Sequence, residues 1–560
     1  MDKIWLKEYP QGVPAEINPD QYASLKAVFD ESCRLYAALP AYSNLGTTLS
    51  YAELEKLSRQ FGAYLQKVVG LKKGDRVALM MPNLLQYPVA LFGVLRSGMV
   101  AVNVNPLYTE RELEHQLKDS GAHTIVILEN FASTLQAALP NADVQHVVVT
   151  AIGDLVPFPK RALVNFVVRK VKKMVPPWRI EGAVPFRTAL AQGASHSMDE
   201  VQVTGTDVAF LQYTGGTTGV AKGAALTHRN MVANVLQASA WLGPHLTKGS
   251  EVVITALPLY HIFSLTANCL VFMKIGGHNI LITNPRDMPG FMKELSKWKF
   301  TAITGVNTLF NGLLHTEGFD KLDFSGVKIA LGGGMAVQRA VAAKWKQVTK
   351  STLVEAYGLT ETSPAACINP LDLKDYNGSI GLPIPSTDLS IRDDDGKELK
   401  VGEVGELCFK GPQVMRGYWQ RPDETAKVLS ADGWLRTGDV GRVDARGYVF
   451  IVDRKKDMIL VSGFNVYPNE VEDVIAMHPG VREVAAIGVP DEHSGEVVKL
   501  LVVKKDPNLT EAALKDWAHK ELTGYKRPKY IEFRNELPKS NVGKILRREL
   551  RDAELKRQKG

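Results

Sequence analysis

Cysteine is scarce in this chain: four in 560 residues, at 33, 269, 367 and 408. None has a neighbour at the spacing of a zinc site or a disulfide framework, so both are excluded as organising principles and reduced, buried thiols are expected. Charge of one sign is also lacking, since 67 Lys and Arg face 60 Asp and Glu. The formal balance of +7 is small for this length, and it argues against nucleic acid as a partner. Internal repeats and low-complexity tracts are missing, which excludes solenoids and long disordered linkers. The first ten residues, MDKIWLKEYP, carry charge where a secretory signal needs an apolar stretch, so export by that route is not expected.

One long uncharged run does occur, at residues 77–95. It is about as long as a bilayer span, but Pro82, Asn83, Gln86 and Pro88 interrupt it. It reads as a strand over 77–81, a turn, and a buried helix running to about Arg96 before Gly98.

At this length two or more domains are expected. From 75 to 128 the pattern alternates: strand, helix, strand at 100–104, polar-faced helix at 110–120, and strand at 123–128. That is the βαβ rhythm of a parallel sheet covered by helices. Similar strands recur at 251–257, 277–283, 300–304 and 327–331, the last followed by Gly332, Gly333 and Gly334. After about Gly381 short alternating strands and turns indicate a small β-rich unit. Beyond Asp453 comes an α+β pattern, with helices at 469–477 and 510–522 and strands at 484–489, 497–503 and 530–533. The fold class expected is α/β. A large N-terminal domain, 1–453, is built of α/β subdomains plus the β-rich unit; a small, mobile α+β C-terminal domain spans 454–560.

The densest chemistry lies at 213–223, YTGGTTGVAKG. Gly215, Gly216, Gly219 and Gly223 let the backbone turn its N–H groups toward one anion. Thr214, Thr217 and Thr218 add hydroxyls, and Lys222 adds a cation. The apolar run at 208–211 reads as a strand, which places the loop at a strand's carboxyl end, where α/β folds bind ligands. It is not a Walker A loop, because Ala221 precedes Lys222 where Gly is needed and Gly223 follows where Ser or Thr is needed. Taken alone, it leaves a Gly/Thr surface turn open as the alternative.

Four further segments follow in order: YGLTE at 357–361, GWLRTGD at 433–439, IVDRKKDMILVSGFNVYP at 451–468, and PKSNVGKILRREL at 538–550. Together with the loop they resemble the acyl-adenylate-forming enzymes: acyl-CoA synthetases, luciferases and peptide-synthetase adenylation domains. The resemblance runs from about 49 to 551. The wording at 73–106, 256–268 and 453–468 is nearest to bacterial long-chain acyl-CoA synthetases.

The resemblance implies a fold, an ATP- and Mg2+-dependent reaction with CoA as co-substrate, and roles for particular residues. The loop, Tyr213 to Gly223 with Lys222, would hold the β- and γ-phosphates. Thr214 and Glu361 would place Mg2+. Tyr357, Gly358, Thr360 and the backbone at Gly333 would receive adenine. Asp439 and Arg454 would bind the ribose, and Lys544 would bridge the attacking carboxylate and the α-phosphate. Lys456 would be the hinge about which the small domain rotates between half-reactions, Gly463 would make room for pantetheine, and His261 would lie at the acyl site. A turn reading of Gly463 and a structural reading of His261 stay open. Residues 260–264, YHIFS, hold no acid, which favours an uncharged acyl group over an amino acid, whose buried ammonium would need a partner. Residues 306–314 could line the acyl pocket or simply pack.

Residues 160–179 carry seven Lys or Arg, no acid, and interleaved Leu163, Phe166, Val167, Val171, Val175 and Trp178. This is the composition of a basic amphipathic surface helix, resting either on anionic lipid or merely in solvent. The expectation is a cytoplasmic fatty-acid CoA ligase that touches the inner face of the membrane. Its partners would be fatty acid and CoA, with no nucleic acid; a homodimer is also expected, though no residue specifies it. Two other readings stay open, an acyl-AMP ligase that serves a carrier protein and a fatty-acid binding or uptake protein with a vestigial nucleotide site.

Overall fold

The structure is a computed structural model that describes residues 2–214, 221–454, 456–462, 464–491 and 493–559. Among these residues the strands form four sheets. One sheet orders Gly417–Tyr418, Lys222–Thr227, Val208–Thr214, Val100–Asn103, Arg76–Met80, Thr124–Leu128, His146–Thr150 and Val184–Pro185. Its centre is parallel, and the Lys222–Thr227 edge is antiparallel. A second sheet runs from Leu382–Pro383 through Ala365–Ile368, Leu353–Gly358, Ile329–Gly332, Ala302–Gly305, Val252–Thr255 and His278–Leu281 to the hairpin Pro40–Asn44/Thr47–Ser50.

The charge-free run is core. Arg76–Met80 is a central strand, and every residue of helix Gln86–Arg96 is buried, as expected where helices cover both faces of a parallel sheet. Among the described residues no helix is long and apolar enough to cross a membrane. The four cysteines are free and buried, and burial raises the thiol pKa of each.

Helices begin where side chains satisfy their first N–H groups. Ser50 with Glu53, and Thr109 with Glu112, make reciprocal caps for Tyr51–Ala63 and Glu110–Ser120. Thr227 with Asn230 does the same for His228–Leu242.

The β-rich unit is an antiparallel sheet of Asp388–Arg392, Gly405–Lys410, Leu435–Val443 and Val449–Arg454. The C-terminal part follows, with Val481–Asp491 and Gly495–Lys504 paired antiparallel and Tyr530–Arg534 added in parallel. Helices Pro468–Ala476, Glu511–Glu521 and Arg547–Lys559 accompany them. Buried Arg547 ties this part together, reaching Glu472 at 2.6 Å and Asp453 at 3.3 Å.

One expectation needs correction. The basic segment is helical only over Lys160–Phe166 and a wider turn, Val167–Val171. Lys173 then takes a left-handed φ of 50°, and Pro176 and Pro177 prevent the chain from resuming a helix before Arg179. For residues 306–314, where pocket lining and packing were both open, the structure shows packing at several positions. Helix Asn307–Leu314 buries Leu309, Phe310 and Leu313 in a core cluster, with the Phe310 ring edge-on to Trp345 at 4.9 Å.

Candidate active site

Strands Val208–Thr214 and Lys222–Thr227 form the hairpin that carries the phosphate loop, with Thr214 opposite Lys222 and Tyr213 opposite Gly223. Gly215, Gly216, Thr217, Thr218 and Gly219 lie outside the described residues. Both strands pack against the turn Thr360–Thr362, which bears Glu361. The edge strand Gly417–Tyr418, which sequence reading missed, pairs with Lys222–Thr227 and closes the cluster. The Lys222 ammonium lies 4.7 Å from the Tyr418 ring centroid and 2.8 Å from Glu424. The Tyr418 hydroxyl donates to Glu361 Oε1 at 2.7 Å. Glu424 is held down to about 2 by Lys222 and then Lys427. Tyr213 turns back into the sheet, its hydroxyl donating to Asp119 at 2.7 Å. Burial, and then the Asp119 carboxylate, raises its pKa.

Thr214 and Glu361 offer the hard oxygen donors that a magnesium ion takes. Among the described residues no cage of three or more His, Cys, Asp or Glu gathers, so the donor set suits an ion completed by phosphate and water.

Tyr357 and Gly358 end the strand Leu353–Gly358, with Thr360 just beyond. The Tyr357 hydroxyl donates to Asp439 Oδ2 at 2.6 Å. Asp439 is only 4% exposed, and in the β-rich sheet it pairs in register with Arg454; the Arg454 side chain lies outside the described residues. A Cβ on Gly333 would stand 3.1 Å from both the Ala356 carbonyl and the Phe263 ring, and one on Gly358 would meet the Pro364 carbonyl at 1.9 Å. Both glycines therefore let backbone and ring close together beside Tyr357.

His261 lies two residues before Phe263, its Nδ1 accepting from Phe263 N at 3.3 Å. Burial, and secondarily the positive charge of Lys544, push it down to about 4. It is therefore neutral near pH 7. The C-terminal turn that carries Lys544 meets this segment, Asn541 Nδ2 donating to the hydroxyl of Tyr260, the residue before His261, at 2.8 Å. Lys544 closes a tight turn in which Ser540 N donates to Lys544 O at 2.7 Å and Lys544 N donates to Ser540 Oγ at 3.1 Å. Lys456 lies in the turn between strands Val449–Arg454 and Ile459–Val461. Gly463 is outside the described residues.

The predicted residues therefore fall into local groups: Lys222, Tyr418 and Glu361; Tyr357 with Asp439; Gly333 beside Phe263, which bonds to His261; and the Lys544 turn, which reaches Tyr260 through Asn541. Besides Tyr418, sequence reading missed Asp119, Glu424, Tyr260, Thr308 and Asn541. Tyr260 adjoins the histidine and offered a local signal. Asn541 lay within the motif at 538–550 and Thr308 within the segment 306–314, but neither place named its partner; Asp119 and Glu424 had no local signal, because each meets the site only through distant pairing.

A mononucleotide-activating centre shared between a large and a small unit is the class that this geometry defines. Residues 29–419 match the AMP-binding enzyme family and 470–544 match the AMP-binding enzyme C-terminal domain, and the chain belongs to that family. It is 60% identical over 552 residues to the long-chain-fatty-acid–CoA ligase of Escherichia coli O157:H7, covering 99% of this chain and 98% of that one. It is 39% identical over 556 residues to the protein of the same name from Bacillus subtilis (strain 168), covering 99% and 98%. Its fold matches the crystal structure of an anthranilate CoA ligase in complex with anthranoyl-AMP, with a TM-score of 0.86 at 25% identity over 97% of this chain and 100% of that one.

Proposed function

We infer that this chain is an AMP-forming long-chain fatty-acid–CoA ligase. A carboxylate cannot expel an oxide-like leaving group near neutral pH, so it first attacks the α-phosphorus of ATP, giving acyl-AMP and pyrophosphate. The thiol of CoA then attacks the acyl carbonyl and AMP leaves. The observation that carries this reading is the docking of the Lys544 turn on the segment that holds His261, with Asn541 bonded to Tyr260 and Thr308 to Gly543 at 2.8 Å each, in a chain that also pairs Tyr418 with Glu361 and Tyr357 with Asp439.

Catalysis of the first step is mainly positioning and charge stabilisation. Lys222, with the loop at 215–219, holds the β- and γ-phosphates, which requires it to leave Glu424. Tyr357 and the backbone at Gly333 and Gly358 flank adenine, with Thr360 alongside. Asp439 accepts from the ribose, and Arg454 donates to it. Lys544 bridges the carboxylate and the α-phosphate. Thr214 and Glu361 would hold Mg2+, which would supply charge neutralisation at the phosphates. His261, neutral and partly buried, borders the acyl end. A boundary at 453/454 with Lys456 as hinge lets the small domain rotate, removing Lys544 and bringing Gly463 in for pantetheine. Fatty-acid-dependent release of pyrophosphate from ATP, followed by CoA-dependent release of AMP, tests the reaction. Thioester formation with free CoA would reject a carrier-only acyl-AMP ligase, and absence of pyrophosphate release would leave a binding protein.

The enzyme works in the cytoplasm and meets the inner face of the membrane through residues 158–174. Phe158, Leu163, Phe166, Val171 and Met174 are each at least half exposed, and Lys160, Arg161, Arg169, Lys170, Lys172 and Lys173 lie among them. Apolar side chains beside basic ones suit insertion between anionic headgroups. Sedimentation with anionic vesicles at low salt is expected, with loss in Phe158→Ser/Phe166→Ser. Indifference of the native protein to such vesicles would remove this surface from the reading.

A further inference from the structure

We propose that Thr308 and Asn541 form a two-point clamp that seats Lys544 for adenylation, which makes Thr308 a positioning residue of the first half-reaction. The inference rests on the reading of Lys544 as the activating lysine.

Thr308 belongs to helix Asn307–Leu314 of the large domain, whose buried side is locked in the core by Phe310 and Leu313. Its hydroxyl donates to the Gly543 carbonyl at 2.8 Å, one residue before the lysine. Asn541 Nδ2 donates across the same gap to the Tyr260 hydroxyl at 2.8 Å, next to His261. The turn between these contacts is internally fixed by the Ser540–Lys544 bonds and by Gly543 N donating to Ser540 O at 2.9 Å. Holding its tip therefore holds the base of the lysine. Gly543 has a φ of +85°, and a Cβ there would meet Thr308 Oγ1 at 2.7 Å and Val306 Cγ2 at 3.2 Å. The position needs glycine twice over, for the left-handed backbone and for the close approach of the hydroxyl.

The chemistry of the clamp fits a turn that must leave again. A neutral hydrogen bond that exchanges with water has modest net strength, so two of them orient the lysine without trapping the domain. Farther out, Asn311 Nδ2 donates to the Arg482 carbonyl at 3.0 Å and Arg339 N donates to Asp473 Oδ1 at 3.0 Å. These contacts dock the domain, whereas Thr308 and Asn541 aim its tip.

The two half-reactions, measured separately in the full-length protein, test the clamp. Thr308→Val is expected to slow acid-dependent pyrophosphate release roughly three- to tenfold, with conversion of supplied acyl-AMP and CoA unchanged. Thr308→Ser, which keeps the hydroxyl, restores the first step. Asn541→Ala, on the partly exposed turn, gives the same one-sided loss and serves if the valine variant folds poorly. Equal loss in both steps, no loss in the first, or failure of serine to rescue overturns the proposal. Lys544→Ala run alongside separates the two claims. If it splits the half-reactions and Thr308→Val and Asn541→Ala do not, the clamp alone falls; if it leaves adenylation intact, the assignment of Lys544 falls as well.

Discussion

The nucleotide side of the site and the lysine side are built differently. Tyr357 and Asp439 sit on sheet strands, Asp439 buried, and bond to each other at 2.6 Å. Lys544 sits on a turn that Thr308–Gly543 and Asn541–Tyr260 anchor to the large domain. A sheet in register cannot slide without turning every side chain to the wrong face, whereas a turn held by a few polar bonds can be released. On the proposed reading, the platform that fits ATP is the part held by sheet register, and the group used in only one half-reaction is the part held by a few polar bonds.

Removing the detachable cation should have the largest effect. Lys544→Ala is expected to cut adenylate formation by about 10² to 10³ while still converting supplied acyl-AMP and CoA to thioester, measured as pyrophosphate release against acyl-CoA formation. Equal loss of both steps would erase the distinction between platform and arm.

On the platform, Asp439→Ala removes a buried acceptor and leaves the Tyr357 hydroxyl without it. Hydrogen bonds to charged groups are worth about 1.5–3 kcal/mol, so KM for ATP should rise about ten- to a hundredfold, with the acid's KM little changed.

The response to pH should also belong to the platform. Burial pushes His228, His261 and His278 down to about 4 from 6.5. The unfolded chain therefore takes up protons that the folded one refuses between about 6.5 and 4, and stability is lost as pH falls through that window. Glu355, raised by burial to about 8 from 4.5, acts oppositely. It stays protonated in the fold while the unfolded chain ionises, so its contribution is lost as pH rises from about 4.5 to 8. Glu355→Gln should flatten that side of the profile of Tm against pH.

The smallest effect is expected at Glu424, which pairs with Lys222 at 2.8 Å and, on the proposed reading, would compete with phosphate for it. Glu424→Gln should lower KM for ATP by about two- to fivefold, within the range of exposed ion pairs. An unchanged KM would mean that the lysine pays nothing to leave its carboxylate.

Much of this was legible beforehand. The strand expected at 208–211 is Val208–Thr214, the helix expected at 110–120 is Glu110–Ser120, and the strand expected at 497–503 is Gly495–Lys504. The helix expected across 160–179 stops at Val171, because basic composition says nothing about where a left-handed lysine and two prolines end it. The site's motifs could be read, but their partners could not. Nothing in YGLTE names Asp439 as the acceptor for Tyr357, and nothing beside Lys222 names Glu424.

Element type, element order and the kinds of chemistry available were written locally in the chain, because periodicity, caps and glycine freedom act over a few neighbouring residues. Which polar groups meet was decided only by tertiary structure. Thr308 and Gly543 are 235 positions apart, and Lys222 and Glu424 are 202 apart. Such pairs exist because sheet order and domain docking bring them within reach, and short-range pattern carries no record of either.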